Sequence, residues 1–91
     1  MQFRWDDRKA ARNLAKHDVS FQEAATVFHD PLFIIFADPA HSFQEKRFII
    51  MGKSDSHRLL VVVYTERSNE IRIISARKAT MKEREVYEEE I

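Results

Sequence analysis

Six cations, Lys53, Arg58, Arg67, Arg72, Arg77 and Lys78, fall within one stretch rich in β-branched and apolar residues. Arginine presents a planar fork that grips phosphate bidentately, and it keeps its charge near neutral pH. In phosphodiester cleavage such a group stabilises the negative charge that develops on phosphorus. Position ranks the six. Arg67 lies in a polar segment, Glu66 to Glu70, whose Ser68-Asn69 pair suits a turn. Arg77 and Lys78 lie at the exit of the next strand-like run. Groups at turns and strand ends reach ligands, whereas Arg72, expected in mid-strand, can simply pair sideways with a glutamate. Arg67 and Arg77 are the expected phosphate clamps and Lys78 a further charge stabiliser. For any one of these arginines the competing reading is a surface salt bridge.

Acid–base candidates are sparser. His41, Ser42 and Glu45 lie on or beside a loop at 38–44, and a His or Glu there is a candidate general base. Glu45 is the preferred one. His17 falls on an apolar helix face and reads as a core hydrogen-bonding group; His29, ahead of Asp30-Pro31, reads as a helix-end residue. His41, His57 and Glu45 do not have metal-ligand spacing, and no metal or cofactor is expected. There is no phosphate-binding glycine loop and no nucleophile elbow. Tyr64 and Tyr87 offer rings on which a base can stack, against the competing readings of sheet packing for Tyr64 and helix contact for Tyr87.

The elements that must hold these residues can be read in order. Gln2 to Trp5 is a short edge strand. Asp6 and Asp7 supply a cap and first-turn carboxylate for a helix to Lys16, with Ala10, Leu14 and His17 as its buried face. Asp18 suits the left-handed position that ends it. Ser20 to Glu23 is a capping box for a second helix, striped by Phe21, Ala24, Ala25 and Phe28 and stopped by Pro31. Strands follow at 32–37 and 45–51. Leu59 to Thr65 is nearly uninterrupted in apolar residues, as in a strand covered on both faces. Ile71 to Arg77 alternates, with Ile71, Ile73, Ser75 and Arg77 on one side and Arg72, Ile74, Ala76 and Lys78 on the other. Thr80 to Glu83 is a second capping box, opening a last helix with a thin apolar face of Met81, Tyr87 and Ile91. The expected fold class is α+β, an antiparallel sheet of four to five strands with a helix pair and a C-terminal helix, all helices on one face.

Length and composition bound the answer. Ninety-one residues suit a single domain spanning 1–91. No cysteine means no disulfide and no thiolate site, in keeping with a reducing cytoplasm. The charged N-terminus is unlike a secretory leader, and no apolar run approaches a membrane span. Net charge is zero, but unevenly so. From Arg58 to Arg84 seven Arg/Lys stand against three Glu, while 85–91 holds four Glu and no base. Local surplus, not net charge, sets the field at a site.

The ordered words of the chain resemble the BrnT family of toxins. They are Phe3-Arg4-Trp5-Asp6, Lys9, Asn13, Lys16 to Phe21, Glu23 to Phe28 and Asp30-Pro31. In the middle come Asp38-Pro39, His41-Ser42, Glu45 and Arg47-Phe48, and at the end Val62 to Arg67, Arg72 to Thr80 and Glu83 to Tyr87. Asp18 departs from the family's usual glycine. The resemblance implies a RelE-like fold and a metal-independent endoribonuclease, the toxin of a bacterial type II toxin–antitoxin pair. In such enzymes the RNA 2′-OH attacks the adjacent phosphate and Arg and Lys stabilise the transition state. It also implies a DNA-binding BrnA-type antitoxin that holds the toxin inactive, in a heterotetramer built on an antitoxin dimer, with operator DNA bound only through the antitoxin. On that reading Lys53, Arg58, Tyr64 and Tyr87 contact RNA. A non-enzymatic co-repressor acting with its antitoxin is the alternative, suggested by the thin last helix and acidic tail.

Overall fold

The structure, a computed structural model, describes residues 1–38 and 45–90. Its elements are β1 (Gln2–Arg4), α1 (Asp7–His17), α2 (Phe21–Thr26), a 3₁₀ turn (Val27–His29), β2 (Ile34–Ala37), β3 (Arg47–Lys53), β4 (Leu59–Arg67), β5 (Glu70–Lys78) and α3 (Met81–Glu90). The class is α+β. One five-stranded sheet runs in the order β1-β5-β4-β3-β2. Strands β2 to β5 pair antiparallel with their sequence neighbours, as short connections dictate. The sheet is nevertheless mixed, not wholly antiparallel, because β1 lies parallel to β5. Both helices of the N-terminal half and three strands intervene between them, so no hairpin constraint applies and β1 takes the open edge of β5.

Helices cover both faces, not one. Val19, Phe21, Ala24 and Val27 pack on Ile50, Leu60, Val62, Tyr64, Ile71, Ile73 and Ala76. On the other face Tyr87 of α3 packs on Met51, Leu59 and Val61. The physical reason lies in β4, whose apolar run presents large side chains to both sides and needs cover on each. The expected apolar face of α3 is thinner still. Met81 is 73% exposed and Tyr87 buried, while Ile91 lies outside the described residues. Tyr87 is held at its tip, where its hydroxyl donates to Asp30 Oδ2 at 2.6 Å. Asp30 also accepts from the amides of Lys53 (2.7 Å) and Leu32 (2.9 Å), tying α3 to β3 and to the turn before β2.

The β4–β5 hairpin turns on Ser68 and Asn69, whose φ of 49° and 55° match a two-residue type I′ turn. Arg67 is therefore the last residue of β4, opposite Glu70, not a loop residue. The expected strict alternation of β5 fails in one place. Val63 pairs with Ser75 but Tyr64 pairs with Ile73, leaving Ile74 as the extra residue of a β-bulge. Ile71, Ile73 and Ala76 thus share one core, and Arg72 comes to the same side as Ser75 and Arg77.

Helix α1 begins as expected, with Asp6 accepting from the amides of Arg8 (2.8 Å) and Lys9 (3.1 Å), and ends at Asp18 with φ 58°. Its inward face differs from the apolar count. Leu14 is 50% exposed, and Asn13 is buried in its place. Beyond Arg72, β5 has no β1 partner, so the backbone of Ala76 needs another. Asn13 provides it: Nδ2 donates to the Ala76 carbonyl (2.7 Å), Oδ1 accepts from the Ala76 amide (3.0 Å), and Nδ2 also donates to the Val19 carbonyl (3.0 Å). Asn13→Ala strands these buried groups and should cost about 2–4 kcal/mol. Asn13→Asp should cost at least as much, since a carboxylate then faces two carbonyl oxygens. A fall in urea midpoint at unchanged m-value checks both.

Candidate active site

The residues of the α3 face are aligned by strand register, because directly opposed residues point the same way. One row runs Arg47 (β3), Thr65 (β4), Arg72 (β5), Arg4 (β1). The next row toward the hairpin holds Arg67, Glu70 and Gln2. Arg4, Thr65, Arg67, Glu70 and Arg72 line a concavity of about 90 Å³. Arg4 Nε donates to Glu70 (2.6 Å) and Arg67 Nη2 to Glu45 (2.6 Å). Among the described residues Arg47 and Arg72 have no ion pair. Three guanidiniums, those of Arg4, Arg67 and Arg72, therefore line a small hollow, with Arg47 in register beyond Thr65, and the cluster holds more positive charge than Glu70 and Glu45 cancel. Such a surface can bind a phosphodiester and stabilise charge on it.

The expected residues divide among three places. Arg67 and Glu45 meet in this cluster. Arg77 lies on the same face, but opposite Val61, six residues along β4 from Arg67, or about 20 Å of strand. Its two Nη atoms grip the Glu83 carboxylate at 2.7 and 2.8 Å, and Glu83 also completes the capping box of α3 with the Thr80 amide and hydroxyl. Lys78 turns to the opposite face, 3.8 Å from Asp18. Arg58 is on that side too, in a bidentate pair with Glu23 and donating to the Asp18 carbonyl (2.9 Å). Glu23 leaves the amide expected of its capping box for Arg58 and for the Ser54 hydroxyl (2.7 Å). Arg58 holds the Glu23 carboxyl below its usual range.

The remaining expected contacts lie apart from this cluster. Lys53 ends β3 far from Arg47, its amide on Asp30. Tyr64 is buried against Phe28 and Phe48, with ring centroids 5.0 and 5.6 Å away. Tyr87 is buried, and burial followed by the Asp30 carboxylate pushes its hydroxyl up to about 12. Neither ring offers a face to a base. His41 and Ser42 lie outside the described residues. Arg4, Arg47 and Arg72, none of them expected as a phosphate clamp, stand in the register row of this cluster. The spacing of the buried residues in β5, two from Ile71 to Ile73 and then three to Ala76, is the trace that the bulge leaves in the sequence. Among the described residues no three His, Asp or Glu side chains come together as metal ligands, and no helix is long and apolar enough to cross a membrane.

An open sheet face carrying an arginine row fits a protein that acts on a phosphodiester chain, and the comparisons give that class. Residues 5–83 match a family model described as a ribonuclease toxin of a type II toxin–antitoxin system. The chain belongs to this family, BrnT. A crystal structure of the Brucella abortus ribonuclease toxin BrnT shares the fold, with a TM-score of 0.70 at 21% identity, covering 89% of this chain and 99% of that one. No curated protein matches.

The Arg77–Glu83 pair gives a pH-dependent anchor for α3. Hydrogen bonding from Arg77, helped by the Thr80 amide, holds the Glu83 carboxyl at about 2, below its ordinary 4.5. A depressed carboxylate pKa adds stability that is complete above the unfolded value and fades as pH falls toward the folded one. Glu83→Gln should therefore lower the melting temperature at pH 7, and the gap from wild type should close between about pH 4.5 and about pH 2. Thermal unfolding across that range checks it.

Proposed function

We propose that this chain is a metal-independent endoribonuclease that cleaves RNA through attack of a 2′-OH on the adjacent phosphate. The observation that carries the reading is the row of Arg4, Arg47 and Arg72 beside Arg67 on one open sheet face. The guanidiniums grip the scissile phosphate and stabilise the charge that builds on it, a role that other enzymes give to a metal. Glu45, beside Arg67, is the candidate base for the 2′-OH proton. Cleavage of this kind leaves a 2′,3′-cyclic phosphate and a 5′-hydroxyl.

The family's place in toxin–antitoxin systems supports a further part of the reading. A BrnA-type DNA-binding antitoxin covers the arginine face and keeps the toxin silent, in a heterotetramer on an antitoxin dimer. Operator DNA is then met only through that partner. Arrest of translation and growth follows when the antitoxin is lost.

The test is cleavage of single-stranded RNA in EDTA, with product ends analysed. Wild type should cut and leave cyclic phosphate ends. Arg67→Ala/Arg72→Ala should fold as wild type by circular dichroism and lose at least about 100-fold in rate, in line with the loss of an oxyanion-stabilising donor. A folded wild type without cleavage would favour the co-repressor reading, and undiminished cleavage by the double variant would move the site elsewhere.

A further inference from the structure

Next to the arginine row, the same sheet face turns apolar. Phe36, Ile49, Val63 and Ser75 form the adjacent row, and Ile34, Met51, Val61 and Arg77 the one after it. Helix α3 crosses only part of this ground. Between α3 and strands β2 to β4 lies a groove of about 210 Å³ lined by Phe36, Ile49, Met51, Val61, Val86 and the Arg77–Glu83 pair. Phe36 and Val86 are exposed at its mouth, at 41% and 42%. An apolar hollow with two exposed apolar side chains at its lining can seat an apolar ligand face.

Resting on the nuclease reading above, we infer that this groove is the base-binding subsite of the enzyme, in which an unstacked nucleobase of single-stranded RNA seats against Phe36 and Val86 beside Arg77. Three features argue for a base over a protein side chain. The groove is continuous with the cationic row: Ile49 is two residues from Arg47 on β3, about 7 Å, a reach that one nucleotide spans from phosphate to base. Its apolar wall includes an exposed aromatic ring, the group on which bases stack without regard to sequence. Its lining also includes the Arg77–Glu83 pair, joined by two hydrogen bonds, so a polar end stands beside the apolar wall, as a base with an apolar face and a polar edge requires. Arginines alone bind any phosphate, whereas a subsite for the base makes the enzyme choose unpaired RNA and gives it a preference at one position beside the cut.

The test uses the full chain and an RNA oligonucleotide made non-cleavable by 2′-deoxy substitution. Its binding is followed by amide and methyl chemical shifts and by titration, with cleavage of the unmodified RNA measured in parallel. Shifts at Phe36, Ile49 and Val86, together with at least about tenfold weaker binding by Phe36→Ala, are expected. Phe36→Trp should restore binding, and Phe36→Ala should flatten the base preference beside the cut. Shifts confined to Arg4, Arg47, Arg67 and Arg72, with equal affinity in Phe36→Ala, would overturn the subsite. So would Phe36→Ala that binds RNA normally but loses its antitoxin, which would make the groove a protein-docking surface. Groove shifts in a wild type that never cleaves would remove the nuclease reading and leave the base site standing. Cleavage unaltered by Phe36→Ala would do the reverse.

Discussion

The β-bulge at Ile74 is the constraint on which the rest depends. A regular β5 would carry Arg72 to the same side as Ala76, into a core that holds no charged residue. One extra residue resets the alternation. Ile71 and Ile73 then join Ala76 under α2, and Arg72 emerges on the opposite face between Arg4 and Thr65. The strand is held on both sides of the bulge. The tight turn at Ser68-Asn69 fixes the register before it, and Asn13 takes up the backbone of Ala76 after it.

The same economy governs the charges. On the helix-pair face two of the cations meet carboxylates, Arg58 pairing with Glu23 and Lys78 lying 3.8 Å from Asp18. On the α3 face, Arg77 fastens the first turn of the helix through Glu83. Among the strand arginines, those near the hairpin form a cluster in which Arg4 and Arg67 each meet one carboxylate and Arg47 and Arg72 meet none among the described residues. Exposed pairs of this sort contribute little to stability, so the arginines there are free to serve a ligand. For these arginines, face and register together decide whether each meets a carboxylate or stands open.

Much of this was legible in the sequence, because the signals were local. The caps at Asp6, Ser20 and Thr80, the left-handed Asp18, the stop at Pro31 and the two-sided burial of β4 all follow from residue type and spacing. The misreadings share a cause: each needed a partner remote in the chain. Asn13 faces inward because β5 lacks a neighbour at Ala76. The parallel β1 needs an edge that only the finished sheet supplies. Glu23 leaves its capping box because Arg58, 35 residues on, offers a bidentate partner. The row of Arg4, Arg47 and Arg72 likewise could not be read locally, since those residues are united only by register. Membership of the BrnT family fixes the class of activity, while the residues that carry it remain a reading of this face.

That reading is tested most directly by the salt dependence of binding to a non-cleavable single-stranded oligonucleotide. Each phosphate contact on a single strand contributes about 0.7 to the slope of log K against log salt. If the open face holds the RNA backbone, Arg67→Ala/Arg72→Ala should lower the slope by about 1.4, and Lys78→Ala on the opposite face should leave it unchanged. A slope that survives the double substitution and falls with Lys78→Ala would contradict the account.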